Sequence, residues 1–525
     1  MLTAATYLTA VFVGGALALL LRLPPLVGFL VAGFALNAAG VTEHPALHVL
    51  ADLGVTLLLF SIGLKLDVRL LLRREVWLTA VVHLAGSVLF AGAFLAGLGA
   101  LGVALLAGEG LATLALVAFA LSFSSTVLVI KVLEDRSESQ SLYGRVAIGI
   151  LILQDVAAVV FIVVSSGELP SPWAAALLLL VPAAVPLRAV WSRLGHGEMQ
   201  VVFGVFMALV PGYALFSALG VKGDLGSLVM GLLLAGHASA SELSRSLLSV
   251  KDLLLVGFFV SIGFAGDLDG AAVGLGLALL LLLPVQGMLY MLLLRAVRFR
   301  RRTAVLGGLV LTNHSEFGLI VVAVGLEAGL LPVDWLVTVS VAVAASFLVS
   351  SILNSRTGRL VPMLSRALPR IDPQRLHPED RYVDFKDATA LVLGMGRVGA
   401  AAYARLSTEH GLDVLGIENS PARVRALTAR GLRVVEADAA DGEFWERVAS
   451  TSQVQVAILA MPFHGTNQVA LAQLRANGFR GRVAAVAQFD DDATELVRNG
   501  ADDVLQIYDG AGSELADRSV VARDD

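Results

Sequence analysis

Cysteine is absent from this chain of 525 residues, and charged side chains are scarce. Without cysteine the chain can form no disulfide, no cysteine-ligated zinc site and no cysteine nucleophile. Only 15% of the residues are charged, against about 25% in an average soluble domain. Hydrophobic residues make up 57%, and the mean hydropathy is +0.80. We therefore expect most of the chain to lie in a lipid bilayer.

The two ends of the chain differ in charge as well as in hydropathy. Residues 1–370 hold 22 Lys/Arg and 19 Asp/Glu, whereas residues 371–525 hold 16 and 24. The acidic C-terminal part argues against nucleic acid as a partner. Because the apolar character stops near residue 360, we predict four segments. They are a transmembrane domain at 1–358, a cytoplasmic linker at 359–387, a soluble domain at 388–510 and a polar tail at 511–525.

Thirteen apolar stretches precede residue 360 and predict about 13 membrane-spanning helices. They lie near 3–22, 25–41, 48–65, 76–107, 111–130, 143–165, 172–193, 199–220, 224–237, 251–266, 270–296, 303–330 and 333–355. If the N-terminus is outside, 19 of the 20 Lys/Arg before residue 360 fall in cytoplasmic connections, and Lys222 is the exception. This positive-inside bias predicts an outside N-terminus and a cytoplasmic C-terminal domain.

The apolar part contains an internal repeat. Leu26–Gly33 in the second stretch resembles Leu228–Gly236 in the ninth, and Phe60–Leu64 in the third matches Val260–Phe264 in the tenth. The offset is seven stretches, an odd number, so the two halves would cross the membrane in opposite senses. An inverted-topology repeat of this kind is typical of secondary transporters. The alternative is a chance match between spans rich in Gly and Leu.

The same offset pairs the fifth stretch with the twelfth, and each contains a polar run, Ser122–Thr126 and Thr312–Glu316. Such runs predict helices that unwind at the bilayer midplane and free backbone and hydroxyl groups for a cation. The alternative is that Ser and Thr bond back to their own helix. Glu316 could equally pair with His314 or cap a half-helix. The candidate ligands from these runs are Ser124, Ser125, Thr126 and Glu316.

Asp155 lies near the middle of the apolar run Val146–Val164, and Gln154 precedes it. A carboxylate at mid-bilayer depth costs roughly 3 kcal/mol or more, so it persists only where it faces a cavity or a partner. Desolvation favours the protonated acid and a nearby cation favours the carboxylate, so a proton and a cation can compete there. The Gln154 amide oxygen offers a neutral ligand. Such oxygen ligands suit K⁺ or Na⁺ rather than a transition metal. The alternative for Asp155 is a structural ion pair.

Three segments carry a resemblance to a known family: Leu53–Asp67, Ser124–Thr126 and Gln154–Ala158. They resemble signatures of the Kef-type cation:proton antiporters, the CPA2 branch of the monovalent cation/proton antiporters. The resemblance implies an NhaA-like fold, a homodimer, cation/H⁺ exchange at Asp155 by alternating access, and the inner membrane of a bacterial cell. The Gln-Asp pair resembles the K⁺-handling members, which favours a K⁺/H⁺ antiporter over a Na⁺/H⁺ antiporter.

Two departures from the family pattern bear on mechanism. Electrogenic relatives carry a Lys in the eleventh span, where this chain has Gln286, so the resemblance implies one-for-one electroneutral exchange. Glutathione-gated members have an acidic loop after the ninth span, and Ser244–Lys251 lacks those acids. This difference puts glutathione gating in doubt.

The soluble part contains a dinucleotide-binding pattern. A predicted strand, Ala388–Leu393, runs into the glycine-rich turn Gly394–Gly399, and a second strand ends at Glu418, 19 residues further on. The turn and the following helix N-terminus suit phosphates, and an acid at that distance suits a ribose hydroxyl. We therefore predict a Rossmann-like domain, and the alternative is a Rossmann core without a ligand.

This domain resembles the TrkA-N (RCK N-terminal) fold, which implies a regulatory AMP, ATP or NAD(H). The candidate contacts are Gly394, Gly396, Arg397, Gly399, Glu418 and Asp438. An RCK-gated K⁺ channel is a competing interpretation, but it needs a TVGYG-like carbonyl filter, and the sequence has none. No catalytic His/Lys cluster follows the nucleotide pattern, so we expect a transporter rather than an enzyme, with no catalytic cofactor.

Overall fold

The structure is a computed structural model of the chain. It describes residues 2–521 apart from 22, 66–70, 137, 140, 166–176, 178, 195–196, 222, 238, 265, 267–268, 382–384, 386, 438–443, 446–447 and 449–452. The chain divides into two compact units. The first comprises Met1–Ile130 and Val146–Arg370, and the second comprises Lys131–Arg145 and Ile371–Asp525.

The first unit is helical, because an apolar segment without water can satisfy its backbone hydrogen bonds within a helix. In chain order its helices are α1 (Leu2–Leu20), α2 (Pro25–Ala38), α3 (Ala46–Lys65), α4 (Arg74–Ala100), α5 (Leu111–Ala120), α6 (Thr126–Asp135), α7 (Leu142–Ser165), α8 (Leu180–Trp191), α9 (Glu198–Met207), α10 (Leu215–Ala218), α11 (Gly223–Leu234), α12 (Ala240–Phe264), α13 (Gly270–Ala278), α14 (Leu282–Ala296), α15 (Arg301–Leu311), α16 (Glu316–Glu327), α17 (Asp334–Ser355) and α18 (Thr357–Ala367). The helix α7 starts inside the 131–145 segment of the second unit and continues through the first.

Seven helices among the described residues are long and apolar enough to cross a membrane, and the bent pair α15–α16 would add one more. Five further apolar helical segments have 10–17 residues, namely Ala5–Leu20 of α1, the helices α2, α5 and α8, and Leu225–Leu234 of α11. Each of the thirteen predicted stretches contains a helix. The number of crossings does not follow from these lengths, so the count of about 13 spans stays a prediction.

The predicted inverted repeat is visible in how the helices pack. The helix α2 packs against α12, and α3 packs against α11. The repeat relates α2 to α11 and α3 to α12. The contact of α2 with α12 therefore has its counterpart in the contact of α11 with α3. Both contacts use glycine. A Cβ atom on Gly33 would lie 2.4 Å from the Val260 carbonyl oxygen, and one on Gly63 would lie 2.3 Å from that of Leu228. The glycines therefore allow backbone-to-backbone contact at equivalent places in the two halves.

The second unit contains a six-stranded parallel sheet in the order β3-β2-β1-β4-β5-β6. Its strands are β1 (Ala390–Leu393), β2 (Val414–Glu418), β3 (Val434–Glu436), β4 (Val456–Leu459), β5 (Arg482–Ala487) and β6 (Asp503–Gln506), and its helices include α19 (Arg397–Thr408), α20 (Pro421–Ala429), α21 (His464–Ala476), α22 (Asp490–Arg498) and α23 (Ile507–Val521). Leu391 and Leu393 enter one apolar cluster, and Ala390 and Val392 enter another. The sheet is thus covered on both faces, as parallel sheets require.

The glycine contacts give a test of the packing. We expect Gly63→Ala to lower the free energy of unfolding by about 1–3 kcal/mol, because the added methyl group forces two helix backbones apart. The matched control is Gly97→Ala in α4, where a Cβ would meet no atom within 4 Å. Thermal unfolding of both purified variants in detergent measures the difference. Equal unfolding temperatures for the two variants would contradict this packing.

Candidate functional site

The ion-site candidates lie where two broken helices meet. Residues 121–125 separate α5 from α6, and residues 312–315 separate α15 from α16, whose axes are bent by 43°. Direct hydrogen bonds join the two breaks: Ser124 Oγ donates to the Leu311 carbonyl at 2.8 Å, and the Ser125 N–H donates to Asn313 Oδ1 at 2.6 Å. The predicted unwinding of the fifth and twelfth stretches is therefore confirmed.

Side chains from α14, from α7 and from the second break satisfy the backbone groups that the first break frees. The Leu121 carbonyl accepts bonds from Gln286 Nε2 and from His314 Nδ1, each at 2.9 Å. Because a carbonyl can only accept, His314 Nδ1 carries the proton in this contact. On the other side of the break, the Ser124 N–H donates to Gln154 Oε1 at 3.1 Å.

The helices that follow the two breaks begin in the same way. Ser125 Oγ accepts a bond from the Leu128 N–H at 3.3 Å and so caps α6. Ser315 Oγ accepts one from the Phe317 N–H at 3.1 Å and caps α16. The next residue in each case, Thr126 or Glu316, is the first of its helix. The inverted repeat thus extends to the helix caps.

Asp155 lies on α7 beside the start of α6. Its side chain is buried, and its Oδ2 atom accepts a hydrogen bond from Thr126 Oγ1 at 3.0 Å. The N-terminus of a helix carries partial positive charge, which stabilises a neighbouring carboxylate. The structure therefore brings Gln154, Asp155 and the predicted residues of the first break together. Thr126, the first residue of α6, bonds to the Asp155 carboxylate, whereas Ser124 and Ser125 in the break bond to other groups.

Glu316 is buried at the start of α16, and its carboxylate interacts with the hydroxyls of Ser315 and Ser125. Ser315 rather than Glu316 caps this half-helix, which decides one of the alternatives left open by the sequence. The interaction with Ser125 connects Glu316 to the first break.

Asn313 and Tyr290 are further buried side chains of this network that the predicted ion-site residues do not include. Asn313 lies within the predicted polar run Thr312–Glu316. Its side chain accepts a hydrogen bond from the Ser125 N–H in the other break. Tyr290 on α14 bonds to both Gln154 and Ser124. A tyrosine in the middle of an apolar helix was the available signal, because a buried phenol usually finds a hydrogen-bond partner.

In the second unit, the three glycines of the turn after β1 have three different surroundings. Gly394 has a φ of +88°, which favours glycine. A Cβ on Gly399 would lie 1.9 Å from the Gly394 carbonyl oxygen, so this glycine permits close helix–strand packing. A Cβ on Gly396 would meet no atom within 4 Å. Gly396 therefore faces open space at the start of α19, where a phosphate would approach.

The predicted acid Glu418 ends β2 beside this turn. Its carboxylate accepts bonds from the Met395 N–H at 3.1 Å and the Ser420 N–H at 2.9 Å, and it pairs with Arg423 at 3.1 Å. These contacts hold the acid at the carboxyl edge of the sheet, next to β1, where the strand order reverses between β1 and β4. Ligands bind at such a position in open α/β folds. Arg397 is exposed as the first residue of α19. Asp438 lies outside the described residues.

A helical unit with an inverted repeat, two crossing breaks and a buried carboxylate defines a secondary ion transporter, here joined to a nucleotide-binding fold. The chain belongs to the sodium/hydrogen exchanger family, since residues 7–357 match the description "Sodium/hydrogen exchanger, transmembrane". Residues 390–507 match the TrkA-N domain. The chain is thus a cation/proton antiporter and a multi-pass membrane protein. The predicted resemblance to Kef-type antiporters with a TrkA-N domain is confirmed.

Several known proteins are similar to most of this chain. The glutathione-regulated potassium-efflux system protein KefC of Cronobacter sakazakii is 27% identical over 84% of this chain and 72% of its own length. The putative cation/proton antiporter YbaL of Escherichia coli is 26% identical over 95% and 93%. The sodium proton antiporter MjNhaP1 from Methanocaldococcus jannaschii has a TM-score of 0.50 at 16% identity, covering 70% of this chain and 99% of that chain. This last likeness concerns the fold alone.

Proposed function

We propose that this antiporter exchanges K⁺ for H⁺ one for one at Asp155, under the control of an adenine nucleotide bound to the second unit. The observation that carries the proposal is the buried Asp155 carboxylate, bonded to Thr126 where the broken helices meet. The N-terminus of α6 and the Thr126 hydroxyl favour the ionised form, and burial favours the protonated form. A proton and a cation therefore compete for one group, and alternating access turns that competition into exchange.

Two observations favour K⁺ as the cation. The Gln154-Asp155 pair resembles the K⁺-handling members of the family, and the relatives named KefC are described as potassium-efflux proteins. The second candidate is Na⁺/H⁺ exchange at the same residues. The description of the matched family as a sodium/hydrogen exchanger supports it.

The surroundings of Gln286 support electroneutral exchange. Its Nε2 atom donates to the carbonyl of Leu121, the first residue of the first break, so the group at this position is an uncharged amide. Gln286 stands where electrogenic relatives have Lys. With Asp155 alternately neutralised by a proton and by a monovalent cation, the net charge moved in one cycle is zero.

The nucleotide proposal rests on the turn at Gly394–Gly399 and on the helix α7. Within the second unit, Arg145 near the start of α7 pairs with Glu436 at 2.8 Å and with Glu379 at 3.1 Å. Glu436 is the β-sheet neighbour of Glu418, the proposed ribose contact. The helix that contains Arg145 also carries Asp155 further along the chain. A nucleotide that binds one state of the transport cycle more tightly than another can shift the equilibrium between those states by its differential affinity.

We propose an outside N-terminus, a cytoplasmic second unit and a homodimer. The orientation follows from the positive-inside count, in which Lys222 is the exception. The dimer follows from the family resemblance. A cytoplasmic second unit would meet adenine nucleotides at the concentrations of the cell interior, as a regulatory site requires.

Asp155→Asn tests the site. The amide retains the volume and can still accept the bond from Thr126, so the variant should fold, but it cannot exchange a proton for a cation. We expect K⁺-driven proton movement in proteoliposomes to fall to the level of protein-free vesicles. The matched control is Asp334→Asn at the exposed start of α17, which should retain exchange. Wild-type exchange by Asp155→Asn would refute the assignment.

Membrane potential tests the stoichiometry. Electroneutral exchange should proceed at the same rate with and without an imposed potential of either sign, because no net charge crosses the membrane. Proteoliposomes with equal internal and external K⁺ and a potential set by a second permeant ion provide the measurement. A proton gradient that develops in response to the potential alone would show electrogenic transport.

Gly396→Asp tests the nucleotide site. The φ of Gly396 is −69°, which any residue can adopt, and its Cβ faces open space, so the domain should fold. The new carboxylate would repel phosphates, and we expect calorimetric binding of AMP, ATP or NADH to weaken at least tenfold and exchange to become independent of nucleotide. The control is Gly512→Asp, a second glycine in open space of the same unit. If the wild-type protein binds none of these ligands at millimolar concentration, the nucleotide proposal fails.

A further inference from the structure

Tyr290 is completely buried on α14, and its hydroxyl lies at the centre of the ion-site network. It is 2.7 Å from Gln154 Nε2 and 2.9 Å from Ser124 Oγ. Its ring is stacked on the buried imidazole of His83, with centroids 3.4 Å apart and planes inclined by 9°. A ring held in this way brings its hydroxyl to one fixed point between α7 and the first break.

The direction of these hydrogen bonds follows from the donors available. Ser124 has one hydroxyl proton, and it donates that proton to the Leu311 carbonyl at 2.8 Å. Tyr290 must then donate to Ser124 Oγ, and the remaining acceptor site on Tyr290 receives the Gln154 amide N–H. The result is a chain of bonds in one direction, from Gln154 through Tyr290 and Ser124 to Leu311.

This chain fixes the orientation of the Gln154 amide. With Nε2 directed at Tyr290, the Oε1 atom faces the Ser124 N–H at 3.1 Å. A flipped amide would place two donors against each other at the Ser124 N–H. It would also place two acceptors against each other at Tyr290, unless the hydroxyls of Tyr290 and Ser124 both reversed. Gln154 is thus bonded at both ends of its amide, and its oxygen is already engaged with the backbone of the break.

We propose that Tyr290 is a positioning residue of the cation site, acting through Gln154 and Ser124. Gln154 then joins α7 to the break instead of serving as a freely oriented ligand. The hydrogen bond between Gln154 and the Ser124 N–H sets the distance from the Thr126 hydroxyl to the Asp155 carboxylate. That distance determines the space that a cation of given radius can enter. The inference rests on the proposed exchange at Asp155 and adds what sets the affinity and the K⁺/Na⁺ preference there.

The principal test is Tyr290→Phe, which retains the ring on His83 and removes only the hydroxyl. We expect the KM for K⁺ to rise roughly tenfold, the effect of losing a hydrogen bond to a buried polar group, with the maximal rate nearly unchanged and the K⁺/Na⁺ preference reduced. The control is Tyr7→Phe in the same unit, which removes a hydroxyl that donates to the Thr42 carbonyl at 2.8 Å. A general loss of stability would lower the maximal rate and leave the preference between ions intact.

A double-mutant cycle tests whether Tyr290 acts through Gln154. Gln154→Met has a similar volume and removes both amide bonds, so it should change the KM and the ion preference in the same direction. Adding Tyr290→Phe to it should then have little further effect on the KM, because the connection is already broken. Additive effects of the two substitutions would overturn the proposal, as would an unchanged KM in Tyr290→Phe.

The outcomes separate this inference from the proposed function. If wild-type protein exchanges no cation for protons, or if Asp155→Asn retains exchange, the proposed function fails. If those results hold but Tyr290→Phe behaves like Tyr7→Phe, the positioning role alone fails. Should Tyr290→Phe not fold, Gln154→Met carries the test, and a wild-type KM and ion preference in that variant would refute the role.

Discussion

The first unit depends on one constraint: a helix interrupted in a medium without water must have its freed backbone groups bonded by other parts of the protein. Here the Leu121 carbonyl accepts hydrogen bonds from Gln286 and His314, and the Ser124 N–H donates one to Gln154 Oε1. These bonds come from α14, from the second break and from α7, so satisfying the first break also holds the surrounding elements together. The predicted ion-site residues lie among the elements that these bonds bring together.

The same constraint explains why polar residues near Asp155 differ in their roles. A hydroxyl or amide near a cation can act as a ligand or as a hydrogen-bond partner of the backbone, and one lone pair cannot do both. Ser125 caps α6 and Gln154 bonds the Ser124 N–H, whereas Thr126 is bonded to the carboxylate itself. The geometry therefore concentrates the proposed ion chemistry on Asp155 and Thr126, with the neighbouring groups holding them in place.

Much of this arrangement could be predicted because it is encoded locally. The Gly-rich turn with Glu418, the apolar strand before it and the polar run at Ser122–Thr126 each occupy a short segment. The inverted repeat can be read as two copies of similar segments. The roles of Tyr290 and Asn313 could not be predicted in this way. Tyr290 meets partners 136 and 166 residues away, so its bonds depend on the packing of three helices. The number of crossings also depends on placement in the membrane, which helix length does not determine.

The reciprocal glycine contacts between the repeats have a consequence for biosynthesis. The helices α2 and α3 emerge from the ribosome early, but their glycine faces fit α12 and α11, which begin about 160 residues after α3 ends. At typical elongation rates of 5–20 residues per second, this interval is roughly 10–30 s. During that time the first half lies in the membrane with its closest-packing surfaces against lipid or against the insertion machinery. Neither repeat can complete this packing alone, so these contacts form only after α12 has been translated.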